Sequence, residues 1–201
     1  MTYQTLLEFP LTPSFAQNEL VSLQKLHQFV MAAAGQLPNQ SQTPRADLGV
    51  TFRLSLPGDD GVDGNTVQLL VRSNEPISGS STTVTTPETG DRVRARVAMV
   101  AEKRLSRGTG NGGPQQTRPL TDDEAVKVAW RRLTDAGLQV DRADLQVSDA
   151  RPAGARGTIN VTYREIVAQA VVTDHPALGS ALDRGIGRGK NYGFGLLTVE
   201  T

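Results

Sequence analysis

Arg92-Val93-Arg94-Ala95-Arg96-Val97 decides the reading of the fold. Base and apolar residue alternate along it, so a strand here turns its arginines to one face and packs the other. Further along the chain, Thr121-Asp122-Asp123-Glu124 is a capping box. Ala125, Val126, Ala129, Trp130 and Leu133 follow at helical spacing, which places Trp130 in the core, and Gly137 closes the helix. Residues 158–173 read either as two strands, Thr158–Tyr163 and Ile166–Thr173, or as one long bulged strand. Asp174 caps a last helix, with Pro176 in its first turn and Leu178, Ala181 and Leu182 on one side. His175 then serves the start of that helix, and Leu196–Val199 makes a closing strand.

The first half repeats the theme less clearly. Tyr3–Phe9 is an apolar strand ending at Pro10. A helix runs from Phe15 to about Gly35, capped by Ser14, with Leu20, Leu23, Val30, Met31 and Ala34 on its apolar side. Residues 39–47 are loop. Thr51–Leu56 and Thr66–Ser73 form a hairpin around a turn rich in Gly and Asp. Residues 75–90 hold a short weak helix or loop before the next strand. The order predicts an α+β protein of two ferredoxin-like βαββαβ domains, 1–90 and 91–201.

Composition narrows the chemistry. The 201 residues contain no Cys, which excludes disulfides and thiolate nucleophiles. With two His and scattered carboxylates, no metal-ligand constellation is visible and no cofactor is expected. No leader or membrane-spanning run is apparent, so a cytoplasmic protein is expected. The net charge is zero, but residues 1–90 hold 4 Lys/Arg against 8 Asp/Glu while residues 91–201 hold 17 against 13. Arg92, Arg94, Arg96, Lys103, Arg104 and Arg107 cluster with Glu102 as the one acid among them. Local clustering sets the field that a polyanion meets.

Gly185-Ile186-Gly187-Arg188-Gly189-Lys190-Asn191-Tyr192-Gly193-Phe194-Gly195 fits neither the phosphate loop of nucleotide hydrolases nor the dinucleotide fingerprint. Its glycines, with Arg188, Lys190 and Asn191, suit a phosphate backbone held against amides and cations. Lys190-Asn191-Tyr192-Gly193-Phe194 partly matches the aromatic strand of an RNA-recognition module. With 4% aromatic residues, however, the chain suits recognition of RNA by shape and phosphate better than by base stacking. Arg156 lies in a second Gly/Pro-flanked loop and is a further RNA candidate. His27 falls four residues after Leu23 and three before Val30. That spacing fits an ordinary core residue, and equally a group that transfers protons near neutral pH.

Gly185–Leu197 resembles the C-terminal glycine-rich signature of the repeat-associated RNA-processing proteins of CRISPR systems. Leu23-Gln24-Lys25-Leu26-His27-Gln28 is similar to the segment that carries the catalytic histidine in the type I-E CasE/Cse family. Further matches lie at Arg92–Ala95, at Ala129-Trp130, and at His175-Pro176-Ala177-Leu178 running into Gly185. The resemblance spans most of the chain in the same order. It implies a metal-independent endoribonuclease that cuts the stem-loop repeat of precursor CRISPR RNA by 2′-hydroxyl attack. It further implies that the enzyme stays on the product as a subunit of the Cascade complex, with no membrane partner. By position His27 is the catalytic residue. The resemblance implies that RNA lies along the arginine strand and the basic loop after it (Arg92, Arg94, Arg96, Lys103, Arg104, Arg107) and at the glycine loop (Arg188, Lys190, Asn191), to which Arg156 is added from its own loop. One departure stands out: Gln24 occupies the place of a family tyrosine three residues before the histidine. That leaves open a non-catalytic CRISPR RNA-binding subunit of the same complex.

Overall fold

The computed structural model describes residues 1–18, 20, 22–33, 49–57, 59, 62, 64–77, 81–105, 116–154 and 159–201. Strands β1 (Tyr3–Pro10), β2 (Thr51–Ser55), β3 (Thr66–Ser73) and β4 (Ser81–Thr83) pair antiparallel in the order β2-β3-β1-β4. Thr51 lies opposite Arg72 and Phe52 opposite Val71, so the alternation of side chains sends Phe52, Leu69 and Val71 to one face. There they meet Leu26 and Val30 of a helix in the first apolar core.

That helix corrects the sequence reading. In place of one helix from Phe15 there are two, α1 (Pro13–Asn18) and α2 (Leu23–Ala33). Thr12, not Ser14, accepts the Phe15 N–H at 3.1 Å. Ser22 then caps a fresh start: its hydroxyl accepts the Lys25 N–H at 3.1 Å and its carbonyl the Leu26 N–H. Of the 75–90 stretch, the described residues 75–77 and 81–90 form no helix, and Ser81–Thr83 make β4.

The second sheet holds β5 (Arg92–Val100), β8 (Leu138–Val147), β10 (Val161–Val172) and β11 (Thr198–Glu200) in the order β11-β5-β10-β8, with β9 (Arg151–Ala153) paired to β10. Between β5 and helix α3 (Asp122–Asp135) lies a small hairpin of β6 (Glu102–Arg104) and β7 (Thr117–Pro119). Helix α4 (His175–Arg184) links β10 to the C-terminal segment. Hairpin and β9 aside, each sheet takes its own strands in the order fourth-first-third-second. This is the ferredoxin-like arrangement, twice in tandem. Val93, Ala95, Val97 and Met99 of β5 and Ile166, Ala168, Ala170 and Val172 of β10 face α3 and α4, whose Ala129, Leu133, Leu178 and Leu182 complete the core.

The capping box forms: Glu124 accepts the Thr121 N–H at 3.1 Å, and the Thr121 hydroxyl accepts the Glu124 N–H at 3.4 Å. Asp174 caps α4 through the Ala177 N–H at 2.9 Å. His175 bonds the Pro87 carbonyl at 3.0 Å and so seats that helix start. Trp130, read as core, is 36% exposed. Its indole N–H reaches the Val140 carbonyl at 3.1 Å and Arg142 covers its ring, so the polar edge dictates its place at the rim of the helix. The closing strand begins at Thr198, later than read. Leu196 and Leu197 are buried, and the Leu197 carbonyl is taken by a side chain rather than by a ladder partner.

Candidate functional site

Leu23 and Leu26 open the buried stripe of α2 but lean to different partners. Leu26 joins the core of the first sheet; Leu23 lies on Ala98 and Phe194. His27 is one turn beyond Leu23 and half-buried, at the edge of the stripe on the side that Leu23 occupies. Both α2 and β2 touch the 3₁₀ turn Lys190–Tyr192 within the glycine segment. The imidazole is therefore not sealed in the core, and its helix rests on the C-terminal turn.

The glycine segment owes its shape to positive φ angles and close backbone approach. At Gly195 (φ +83°) a Cβ would come within 2.1 Å of the Ile186 carbonyl oxygen. At Gly193 (φ +87°) it would meet the Phe52 ring at 2.8 Å. Only glycine fits either place. The Ile186 N–H bonds the Gly195 carbonyl at 2.8 Å and the Gly195 N–H bonds the Ala98 carbonyl at 2.7 Å. These bonds close the loop and tie it to β5.

Cations collect around the loop. The Arg188 guanidinium donates to the Glu102 carbonyl. Arg188, Lys103, Arg131 and Arg132 line a depression of about 320 Å³ beside Gly187, with Glu102 and Glu124. Arg132, Arg184 and Lys190 border the next, with Asp135. Arg131, Arg132 and Arg184 did not stand out in the sequence. Their signal is the exposed side of a helix on which adjacent arginines face the loop, visible only once α3 and α4 are placed. At the base of the hairpin the Arg118 fork grips Glu124 at 2.6 and 2.7 Å. That grip, with the Thr121 N–H and Lys103 at 3.8 Å, lowers the Glu124 carboxyl to about 2. Arg118 in turn is raised by the same bond.

The arginine row lies on the open face of the second sheet, away from α3 and α4. Arg92 and Arg94 are exposed, and Arg96 is half-buried with its Nε 3.8 Å from Glu165. The same face carries Ala98, which Leu23 covers. At about 3.4 Å per residue, Arg96, Arg94 and Arg92 stand roughly 7, 14 and 20 Å along the strand from Ala98. A cleft of about 260 Å³ opens where α2 meets this face, bordered by Leu23, Tyr163, Tyr192 and Phe194. The Tyr163 and Phe194 rings lie 5.2 Å apart.

A family model described as CRISPR associated protein matches residues 3–201. The chain belongs to this family. Thermus thermophilus Cse3 bound to an RNA representing a pre-cleavage complex is similar with a TM-score of 0.76 at 21% identity, over 100% of this chain and 99% of that one. Cas6e from Escherichia coli str. K-12 gives 0.70 at 18% identity over 98% of each chain. A chain of a CRISPR RNA-guided surveillance complex gives 0.66 at 22% identity over 98% of each. At these identities the likeness is one of fold. No curated protein sequence matches the chain.

In this CRISPR-associated protein the residues singled out from sequence fall into two groups. Lys103 and Arg188 line the depression beside Gly187 and Lys190 borders the next, and the 3₁₀ turn that Lys190 begins touches the helix of His27. Arg92, Arg94 and Arg96 form the separate row on the open sheet face. Arg104 and Asn191 are exposed, on β6 and the 3₁₀ turn. Arg107 and Arg156 lie outside the described residues. Gln24 is exposed one turn before His27; of the three tyrosines, Tyr163 and Tyr192 border the cleft beside α2, while Tyr3 lies in β1. Among the described residues, no group of three His, Cys, Asp or Glu could hold a metal ion. Among them too, no helix is long and apolar enough to cross a membrane.

Proposed function

We propose that this protein is an endoribonuclease that cuts the stem-loop repeat of precursor CRISPR RNA without a metal ion. It then stays on its product as a subunit of an RNA-guided surveillance complex. The observation that carries the reading is the seating of the His27 helix on the 3₁₀ turn that Lys190 begins, with Arg188 two residues before it. Family membership and a fold shared with RNA-bound Cse3 support it. The two sheets with their helices act as two domains, 1–90 carrying the catalytic helix and 91–201 carrying the basic surfaces.

The chemistry uses the RNA's own nucleophile. The 2′-oxygen attacks the adjacent phosphorus, the P–O5′ bond breaks, and the 2′-hydroxyl proton is made up on the leaving 5′-oxygen. The products are a 2′,3′-cyclic phosphate and a 5′-hydroxyl. His27 transfers the proton at one of these oxygens, a role worth about 10²–10⁴-fold in rate. Lys190 and loop amides stabilise charge at the phosphorane. The decisive experiment is single-turnover cleavage of a synthetic repeat hairpin in EDTA. His27→Ala abolishes product and leaves hairpin affinity nearly unchanged; a need for Mg²⁺, or survival of cleavage in the variant, overturns the reading. Gln24 favours a second reading, a subunit that binds the repeat without cutting it. That reading requires tight hairpin binding by the unaltered protein and no product at any pH.

A further inference from the structure

Arg72 on β3 is 3% exposed, yet its guanidinium crosses from the first sheet to the second half of the chain. Its Nη1 donates to two main-chain oxygens, Leu182 at 3.1 Å and Leu197 at 2.5 Å. Its Nε and Nη2 both donate to the Gln4 side-chain oxygen, at 3.2 and 3.1 Å. Burial lowers its pKa to about 10, and Asp183 nearby partly offsets that shift. Asp183 itself accepts from the Thr2 hydroxyl.

The two carbonyls share one property. Leu182 lies in the last turn of α4, three residues before Gly185, where helix carbonyls lack an intrahelical partner. Leu197 lies two residues after Gly195. One guanidinium therefore holds the entry and the exit of the glycine segment together and fastens both to the first sheet. Arg72 also pairs across the ladder with Thr51, whose Cγ2 lies 3.6 Å from where a Gly185 Cβ would stand. Beside Thr51, Phe52 supports Gly193. A planar fork suits this task, because two N–H bonds on one nitrogen diverge at fixed angles toward two acceptors.

We infer that Arg72 is a positioning residue for RNA cleavage: it fixes the glycine segment, and with it Lys190, against the helix that carries His27. The inference rests on the endoribonuclease reading. It touches no phosphate itself and acts through the loop. A misplacement of about 1 Å in a reacting constellation costs about 10² in rate.

The test pairs Arg72→Lys with Gln4→Met, which replaces the side-chain amide whose oxygen orients the guanidinium by an apolar thioether of similar length. Each is measured for single-turnover cleavage of the repeat hairpin, for hairpin affinity, and for amide exchange by segment. In Arg72→Lys we expect cleavage to fall about 10²-fold with affinity within about threefold, and faster exchange across 185–197 than elsewhere. Gln4→Met shows the same pattern with a smaller loss, and decides the matter if Arg72→Lys does not fold. The inference is overturned if rate and affinity fall together, if the rate is unchanged, or if exchange in 185–197 matches the unaltered protein. Absence of cleavage by the unaltered protein would sink the endoribonuclease reading instead, leaving the exchange measurement to judge the clamp.

Discussion

Two glycines of the same loop make a controlled comparison. Gly187 and Gly195 have similar φ, +76° and +83°. Around Gly187 a new Cβ would meet nothing within 4 Å; at Gly195 it would strike the Ile186 oxygen at 2.1 Å. Alanine at either site incurs the left-handed penalty, about 1–2 kcal/mol, and gains about 0.4–1 kcal/mol from a less flexible unfolded chain. Gly187→Ala should therefore lose at most about 1–2 kcal/mol. Gly195→Ala must also push two backbone strands apart by more than about 1 Å to reach ordinary contact. That breaks the Ile186–Gly195 bond at 2.8 Å and strains the Gly195–Ala98 bond at 2.7 Å. Two net hydrogen bonds add about 1–3 kcal/mol, more if the buried groups find no new partner. The expected difference between the variants is thus about 1–3 kcal/mol, or roughly 2–12 °C in Tm for a chain of this size. Thermal unfolding followed by circular dichroism reads it directly. Equal melting of the two variants would refute the close approach that shapes the loop.

Arg94→Ala and Arg96→Ala should weaken hairpin binding and each flatten the log–log salt dependence by roughly one unit, if the row on the open sheet face meets phosphates; an unchanged slope by filter binding removes that row from the RNA surface. Glu124 carries a pH signature. Its folded pKa is depressed, so its contribution is complete above its ordinary value of 4.5 and is lost as pH falls toward about 2. Amide exchange in 102–105 and 116–121 should accelerate over that window and hold steady above it, with Glu124→Gln removing the dependence. Thr121→Ala should cost about 1 kcal/mol through loss of the cap of α3, seen as a fall of about 2–4 °C in Tm. Phe52→Ala, at a fully buried site beneath Gly193, should cost about 3–5 kcal/mol and reduce cleavage more than binding.

What the sequence made legible follows the range of the interaction that encodes it. The alternation in β5, the capping box of α3 and the Asp174 cap of α4 are written within four or five residues, and all three stand in the structure. Strand β8 escaped because its own period is broken. Leu138 and Val140 are buried, then Leu145, so the inward parity switches where the register with β10 shifts between Ala168 and Ala170. No strict alternation survives such a bulge. The break at Ser22 is a subtler case: the apolar spacing on both sides is helical, and only a hydroxyl turned to the Lys25 N–H marks the restart.

The candidate site divides along the same line. His27 and the glycine segment are recognisable as local patterns, and their adjacency needs only that α2 touch the 3₁₀ turn. Arg72 lies in an unremarkable strand, Thr66–Ser73, where a cation at an alternating position reads as solvated. Its partners are the Leu182 and Leu197 carbonyls, 110 and 125 residues away. A strand's pattern states which face a side chain takes; it carries no information about main-chain oxygens that another part of the chain brings to that face. Backbone acceptors have no residue identity to read, so a clamp built from them becomes visible only when both ends of the loop have been placed in space.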